Sequence, residues 1–398
     1  MSDFAYLFER FPSFTQTFCY REVLEMRRQG TAAPVYSIRR PENIPQDCPA
    51  ALAADVRYLP EPGPLGREMK TIRMLGKYPL SVVFQIRTWG KRKAKSRLLE
   101  AAWLGPKLRA AGIRHVHAHF AGIAAQTAWW MKKFYGIPFS FTGHANDMFC
   151  ETGLPVTLDD LVREAAFVVA VSDFSRDWLC RRAPAHAGKI HRIYNGMDIA
   201  TLDPAVPAPG KPRILSVGRY IEKKGFADLI DACAILRSRN LDFECEIIGG
   251  GPLEEPLRAR IAELGLQDSV LLAGPRPQEE VRQKLSAATL FVLACATEPD
   301  GGMDTLPTVI VEAMAAGLPV VSTRLAAVPE MVVHESTGLL VGERQPGHLA
   351  EAMERVLRDP ELGRRFGQAG KKLATERFAS QPTVASLKAL LEGITRCE

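Results

Sequence analysis

Arg213-Ile-Leu-Ser-Val217-Gly218, then Gly225-Phe226-Ala-Asp-Leu229-Ile230-Asp-Ala-Cys233-Ala-Ile-Leu236-Arg-Ser-Arg239, then Phe243-Glu-Cys-Glu-Ile-Ile248-Gly249-Gly250-Gly251, is the stretch that decides the fold. The first run is short, apolar and partly β-branched, and it stops at a glycine, as a buried strand does. The second places Phe226, Leu229, Ile230, Cys233 and Leu236 on one helical face. The third is again strand-like and ends in glycines. A strand, a crossover helix and a strand of these lengths build a parallel sheet with helices on both faces.

Working outward, the same alternation continues through strand runs at Val270–Ala273, Leu290–Leu293, Val320–Ser322 and Gly338–Val341, with helical segments between them. A helix at Leu253–Leu264 stops at Gly265, and from Pro346 onward the chain reads as almost wholly helical. The first half repeats the pattern less cleanly, with strands at Phe4–Phe8, Val35–Ile38, His115–His119, Phe139–Thr142 and Phe167–Val171. Helices are expected at Thr15–Gln29, at Ile123–Phe134 and, capped by Ser172, at Phe174–Cys180. Pro204, Pro207, Pro209 and Pro212 fall within nine residues and mark a stiff connector. The expectation is an α/β protein of two doubly wound domains facing a central cleft. Residues 1–203 form the first domain, 204–212 the linker, 213–378 the second domain, and 379–398 a terminal helix that packs back on the first.

At 398 residues and 46% hydrophobic, the chain has the bulk for two cores, and disorder is excluded as its main character. No apolar run approaches a membrane span. The start, Met1-Ser-Asp-Phe-Ala5, shows no basic and apolar leader, which points to the cytoplasm. The eight cysteines are scattered without a C-x-x-C, so they read as cytosolic thiols. Charge is uneven. Residues 1–200 hold 28 Lys/Arg against 18 Asp/Glu, and residues 201–398 hold 23 against 27. Between Arg67 and Arg97 lie ten bases and one acid, interleaved with Met74, Phe84, Trp89 and other apolar residues. This is either a solvated helical face or a docking surface for an anionic inner leaflet, where each base is worth about 1 kcal/mol. The acidic remainder and the lack of a recognition motif argue against nucleic acid.

Three groups of residues stand at expected strand ends, where sheets of this kind bind ligands. In Gly218-Arg219-Tyr220-Ile221-Glu222-Lys223-Lys224-Gly225, two bases flank a turn into a helix N-terminus, an arrangement that suits a diphosphate. In Glu298–Gly317, Pro307 is expected at the first helical position, with Asp304 in the loop before it and Glu312 inside the helix among apolar neighbours. A buried acid there needs a partner, and sugar hydroxyls are suitable ones. In Phe141-Thr142-Gly143-His144, the imidazole follows a strand and can exchange a hydrogen bond with a transferring group. His117 and His119 alternate within a strand and read as buried. Their spacing suits a metal, but the sequence shows no third ligand.

Gly218-Arg219-x4-Lys224-Gly225, the Asp304/Glu312 pair leading into Glu-Ala-Met-Ala-x-Gly-x-Pro-Val-Val, and Thr337-Gly-Leu-Leu resemble retaining GT-B glycosyltransferases of family 4. Phe11–Phe18, His117-Ala-His119-Phe120-Ala121, Phe141–Ala145 and Val171–Ser175 resemble the colanic-acid and exopolysaccharide branch more narrowly. The resemblance implies transfer of a sugar, with retention and without a required metal or cofactor, from a nucleotide-sugar donor (UDP-hexose first, GDP-sugar second). It implies donor contacts from Gly218, Arg219, Lys224, Thr305 and Leu306, with Glu312 on the ribose. It places Asp304 on donor-sugar hydroxyls and His144 near the transferred sugar, so that His144, Asp304 and Glu312 form the catalytic set. The implied acceptor is a polyprenyl-diphosphate-linked glycan, which would bring a cytoplasmic enzyme to the inner face of the membrane as a peripheral protein. The chain departs from the family pattern where Asp304 replaces a glutamate and where Pro12-Ser13 stands in place of Gly-Gly. A sugar-nucleotide epimerase and a non-catalytic sugar-nucleotide-binding protein are the competing readings.

Overall fold

The computed structural model describes residues 2–13, 16–45, 48–60, 95–144, 148–149, 156–199, 205 and 210–396. The chain divides into two compact units, Met1–Gly196 with Gln381–Glu398, and Met197–Ser380.

In unit 1 the described strands are β1 (Phe4–Arg10), β2 (Val35–Arg39), β3 (Arg57–Tyr58), β4 (His115–His119), β5 (Phe139–Gly143), β6 (Val168–Ala170) and β7 (Ile190–Arg192). They form one sheet in the order β3-β2-β1-β4-β5-β6-β7, with every pairing parallel. Because side chains alternate along a strand, β1 sends Ala5 and Leu7 into one apolar core and Phe4, Tyr6 and Phe8 into the other. Both faces are therefore buried, which is why these strands read as continuous apolar runs. Register places His117 opposite Tyr6 on one side and opposite Ser140 on the other, with His119 opposite Thr142.

Unit 2 holds β8 (Arg213–Val217), β9 (Glu244–Ile248), β10 (Val270–Gly274), β11 (Leu290–Leu293), β12 (Val320–Thr323) and β13 (Gly338–Val341). Their order is β10-β9-β8-β11-β12-β13, again parallel throughout. Each unit thus builds outward from its first strand and then reverses, so the winding switches between β1 and β4 and between β8 and β11. These are the doubly wound, Rossmann-type sheets that the alternation predicts.

The structure also departs from the sequence reading. The two- and three-residue strands β3 and β7 lie below what a pattern of apolar runs can reveal, and so does the helix Leu158–Glu164 with its Thr157/Asp160 capping box. Pro307 is the N-cap of the helix Thr308–Ala316, one position earlier than its expected place inside the first turn. The units divide at Gly196/Met197, upstream of the expected boundary at 203. The reason is that Met197 already pairs with unit 2: its N–H donates to Phe378 O at 2.8 Å, and Ser380 N–H donates to Met197 O at 2.9 Å. Of the proline-rich connector, Ala205 is described, and its N–H donates to Ala316 O at 2.6 Å.

The helix Ser380–Arg396 supplies Val384, Leu387 and Leu391 to a core of unit 1. It is also tied to Gln29, whose Nε2 donates to Gln381 O at 2.9 Å and whose carbonyl accepts from Lys388 Nζ at 2.6 Å. Most of the basic stretch from Arg67 lies outside the described residues. Its last member departs from the expectation of a solvated base: Arg97 is 6% exposed and ion-paired with Glu100 at 2.6 Å. Among the described residues no helix is long and apolar enough to cross a membrane, and no disulfide joins the described cysteines.

Candidate functional site

Unit 2 brings two of the three sequence groups together at its switch point. From β8 the chain runs through Gly218 and the exposed Arg219 to Lys223 and Lys224, then into the helix Phe226–Ser238. From β11 it runs through Ala294 and Cys295 to Asp304 and the helix Thr308–Ala316. Ala296 N–H donates to Lys223 O at 3.1 Å and ties the two loops together. The ammonium of Lys224 lies 2.5 Å from Asp304 Oδ2, and that of Lys223 lies 3.7 Å from Oδ1.

Burial alone would neutralise this carboxyl. The Lys224 charge, helped by Lys223 and Arg219, overrides burial and holds Asp304 below the usual carboxylate value. Burial likewise disfavours the Lys224 ammonium, and Asp304 overrides it and raises the amine. Cys295, buried beside the pair, is pushed up to about 12 by desolvation and the charge of Asp304, and so remains a thiol. The result is a cationic turn with one balancing acid, at a strand end and before a helix N-terminus.

Glycines make this approach possible. Gly225 has φ +62°, and a Cβ there would stand 1.8 Å from Ala294 O. Gly249 and Gly251 let the end of β9 lean on the cationic loop, since a Cβ on Gly249 would stand 1.8 Å from Gly218 O. Tyr220 N–H donates to Gly250 O at 3.0 Å, and Tyr220 Oη donates to Ile247 O at 2.9 Å. Glu312 is 5% exposed, and Gln278 Nε2 donates to its Oε2 at 3.4 Å. Thr305 and Leu306, assigned to donor binding by resemblance, are buried in the same loop. Sequence reading overlooked Gln278 and Lys223. The side chain of Lys223 is buried against Asp304, where its neighbour Lys224 alone was expected to act.

The third group lies in unit 1, around the ends of β4 and β5. His144 is buried, with Phe18 and Phe120 rings at centroid distances of 4.8 and 4.3 Å. Phe120 has φ +71°, an outlier for a bulky residue. Its N–H donates to Thr142 O at 2.9 Å, so β5 holds the turn that lays its ring on His144. His117 and His119 are buried as expected. No third ligand was readable for them in the sequence, whereas the structure supplies one: Glu22, from the helix Thr17–Arg28, has a carboxylate oxygen within 4.8 Å of a nitrogen of each imidazole. These groups also satisfy one another without an ion. His117 bonds Ser140 Oγ through Nδ1 at 2.8 Å and Thr142 Oγ1 through Nε2 at 3.0 Å, and His119 Nε2 donates to Glu22 Oε1 at 3.1 Å. Desolvation drives His115 down to about 3 and His117 and His144 well below the usual imidazole value, so all three are neutral at pH 7.

Comparison with known proteins bears on both units. Residues 25–201 match the Glycosyltransferase Family 4 model, and residues 200–373 match the model of Glycosyl transferases group 1. The amylovoran biosynthesis glycosyltransferase AmsK of Erwinia amylovora is 44% identical over 144 residues, 36% of this chain and 35% of that protein. The putative colanic acid biosynthesis glycosyltransferase WcaL of Salmonella typhimurium is 36% identical over 193 residues, 48% of this chain and 47% of that one. The matched stretches thus span less than half of these relatives. Among solved structures, Anabaena Alr3699/HepE in complex with UDP and glucose superposes with a TM-score of 0.74 at 19% identity, covering 98% of this chain and 99% of that one. The fold is that of GT-B proteins, and the chain carries a glycosyltransferase Family 4 domain followed by a glycosyl transferases group 1 domain.

Proposed function

We propose that the protein transfers a hexose from a nucleotide-diphosphate sugar, UDP-linked first and GDP-linked second, to an acceptor hydroxyl, with retention and without a required metal. The observation that carries this reading is the convergence of Arg219, Lys223, Lys224 and Asp304 on the switch point of unit 2, at the N-terminus of the helix Phe226–Ser238. A diphosphate arriving there competes with Asp304 for Lys224, and the released carboxylate can then accept from donor-sugar hydroxyls. Charge building on the leaving diphosphate is met by Arg219, Lys224 and the helix terminus. Glu312, anchored by Gln278, is assigned to the ribose. The related names point to exopolysaccharide assembly, and a solved structure of the same fold holds UDP and glucose.

The test is a screen of nucleotide sugars for acceptor-dependent release of the free nucleotide, run in EDTA, with calorimetry on the variants. Arg219→Ala and Lys224→Ala should each weaken UDP or GDP binding by about 10- to 100-fold, the worth of a charge-assisted contact. Wild-type affinity in both variants, or activity that chelation abolishes and manganese restores, would overturn the assignment. A lipid-linked glycan is the proposed acceptor, and the basic stretch from Arg67 is the proposed membrane contact. Co-sedimentation with anionic but not neutral liposomes, falling with salt, is the expected result. Equal sedimentation with neutral vesicles would remove the membrane contact.

A further inference from the structure

The loop that carries Asp304 is gripped from the far side of unit 2. β11 ends at Leu293 and β13 at Val341, and in a parallel sheet the chain leaves both strands at the same end. Just past β13, Glu343 Oε2 accepts from Thr297 N–H at 2.8 Å, and Arg344 Nη2 donates to Thr297 O at 2.6 Å. Two neighbouring side chains thus bond both backbone polar groups of one residue, beyond the point where β11 stops pairing. Arg344 makes this contact from φ +55°, a left-handed backbone that glycine adopts freely and arginine does not. The residues before Thr297 are tied as well: Thr323 Oγ1 donates to Cys295 O at 2.6 Å, and Ala296 N–H to Lys223 O at 3.1 Å. Beyond it the loop closes on itself, with Glu298 N–H donating to Gly302 O at 2.8 Å and Gly302 N–H to Asp300 Oδ1 at 2.9 Å. Asp304 follows two residues later, against Lys224. A shift at Thr297 therefore passes through a short closed turn to the Asp304 carboxylate instead of being absorbed by slack chain.

We propose that Glu343 and Arg344 are positioning residues for the transfer: they clamp Thr297 and so set where Asp304 stands against the donor sugar. The inference deepens the proposed function and rests on its placement of Asp304 at the donor-sugar hydroxyls. It divides the work between two sides of unit 2. The charges assigned to the diphosphate, Arg219, Lys223 and Lys224, come from the loop after β8, and they remain in place when the clamp is cut. The acid assigned to the sugar takes its register from the loop after β13. The charge of Arg344 also reaches Asp228, in the first turn of the helix Phe226–Ser238, where it works against the burial that raises that carboxyl. The ends of β8, β11 and β13 thus meet around one arginine whose backbone is strained.

Substitutions in the full chain separate positioning from mere support. Arg344→Gly removes the guanidinium and relieves the backbone at φ +55°, so its thermal midpoint should stay near the wild-type value. With UDP-glucose as donor, or GDP-mannose if UDP-glucose is not turned over, its kcat should fall about tenfold, within what a misplacement of about 1 Å can cost. Affinity for UDP or GDP by calorimetry should be unchanged. Glu343→Ala should behave alike and should also speed hydrogen exchange across residues 296–304, read by mass spectrometry. Glu343→Gln, whose amide oxygen still accepts from Thr297 N–H, should restore both. Wild-type kcat in Arg344→Gly and Glu343→Ala would overturn the proposal, even if their melting fell, because the clamp would then be structural alone. Equal losses in kcat and nucleotide affinity would overturn it too, since they place the effect at the cationic turn. If Asp304→Asn keeps full turnover, it is the placement of Asp304 at the sugar that fails, and exchange across residues 296–304 still decides whether the clamp holds the loop.

Discussion

At the scale of single residues, Asp304 has two roles that can be separated by pH. Its carboxyl is depressed in the fold, so the stability it contributes is present above the usual carboxylate value and is lost as pH falls through the lowered one. Lys224 is raised, so its share is lost only as pH climbs through the raised amine value. The pair is therefore ionised across the whole neutral range. Asp304→Asn leaves two buried ammonium groups without their acid and should cost about 3 kcal/mol at pH 7, the lower end for a buried pair stripped of one member. Urea denaturation at pH 7 and near pH 3 checks this: the deficit should shrink in acid, where the wild type protonates as well. An equal deficit at both values would mean that Asp304 matters through shape rather than charge. Glu312 stood out in the sequence because an acid amid apolar helix neighbours needs a partner, and Asp304 because it lies in the loop just before Pro307. Glu22 was not, because a glutamate on an otherwise ordinary amphipathic helix says nothing of the imidazole that it meets 97 positions away.

At the scale of elements, the glycines at loop crossings matter more than the strands they follow. Gly225→Ala places a Cβ 1.8 Å from Ala294 O at a φ of +62°, so the turn carrying Lys224 must separate from the end of β11. Nucleotide affinity should fall at least tenfold by calorimetry, while far-UV circular dichroism still shows the alternating fold; undiminished affinity would show that the crossing is not needed. Elements themselves were legible where apolar runs reached four or five residues, as in β8, β11 and β12. Unreadable were those whose signal is not apolar: β3 at Arg57–Tyr58, and the capped helix Leu158–Glu164. The loop-to-loop bond from Ala296 to Lys223 O was also beyond reach, since it depends on the order in which strands enter the sheet.

At the scale of the whole molecule, the two units should respond differently to acid. His115, His117 and His144 are held neutral in unit 1, their imidazoles depressed mainly by burial, whereas an unfolded histidine takes up a proton near pH 6.5. Their contribution is complete above that value and is lost as pH falls toward the folded value, which for His115 is about 3. Each ring can cost up to about 1.4 kcal/mol per pH unit. All five tryptophans precede residue 196, so tryptophan fluorescence reports on unit 1. Its thermal midpoint should drop between pH 7 and pH 5, and a flat profile would contradict the neutral assignment. The terminal helix carries a different consequence. Synthesis runs from the first residue onward, and domains ordinarily fold in that order. Here Val384, Leu387 and Leu391 belong to the core of unit 1, although every residue of Met197–Ser380 is made before them. On the ribosome, the core that β1 shares with the helix Thr17–Arg28 therefore gains its last three apolar side chains only after the whole of unit 2 has been made.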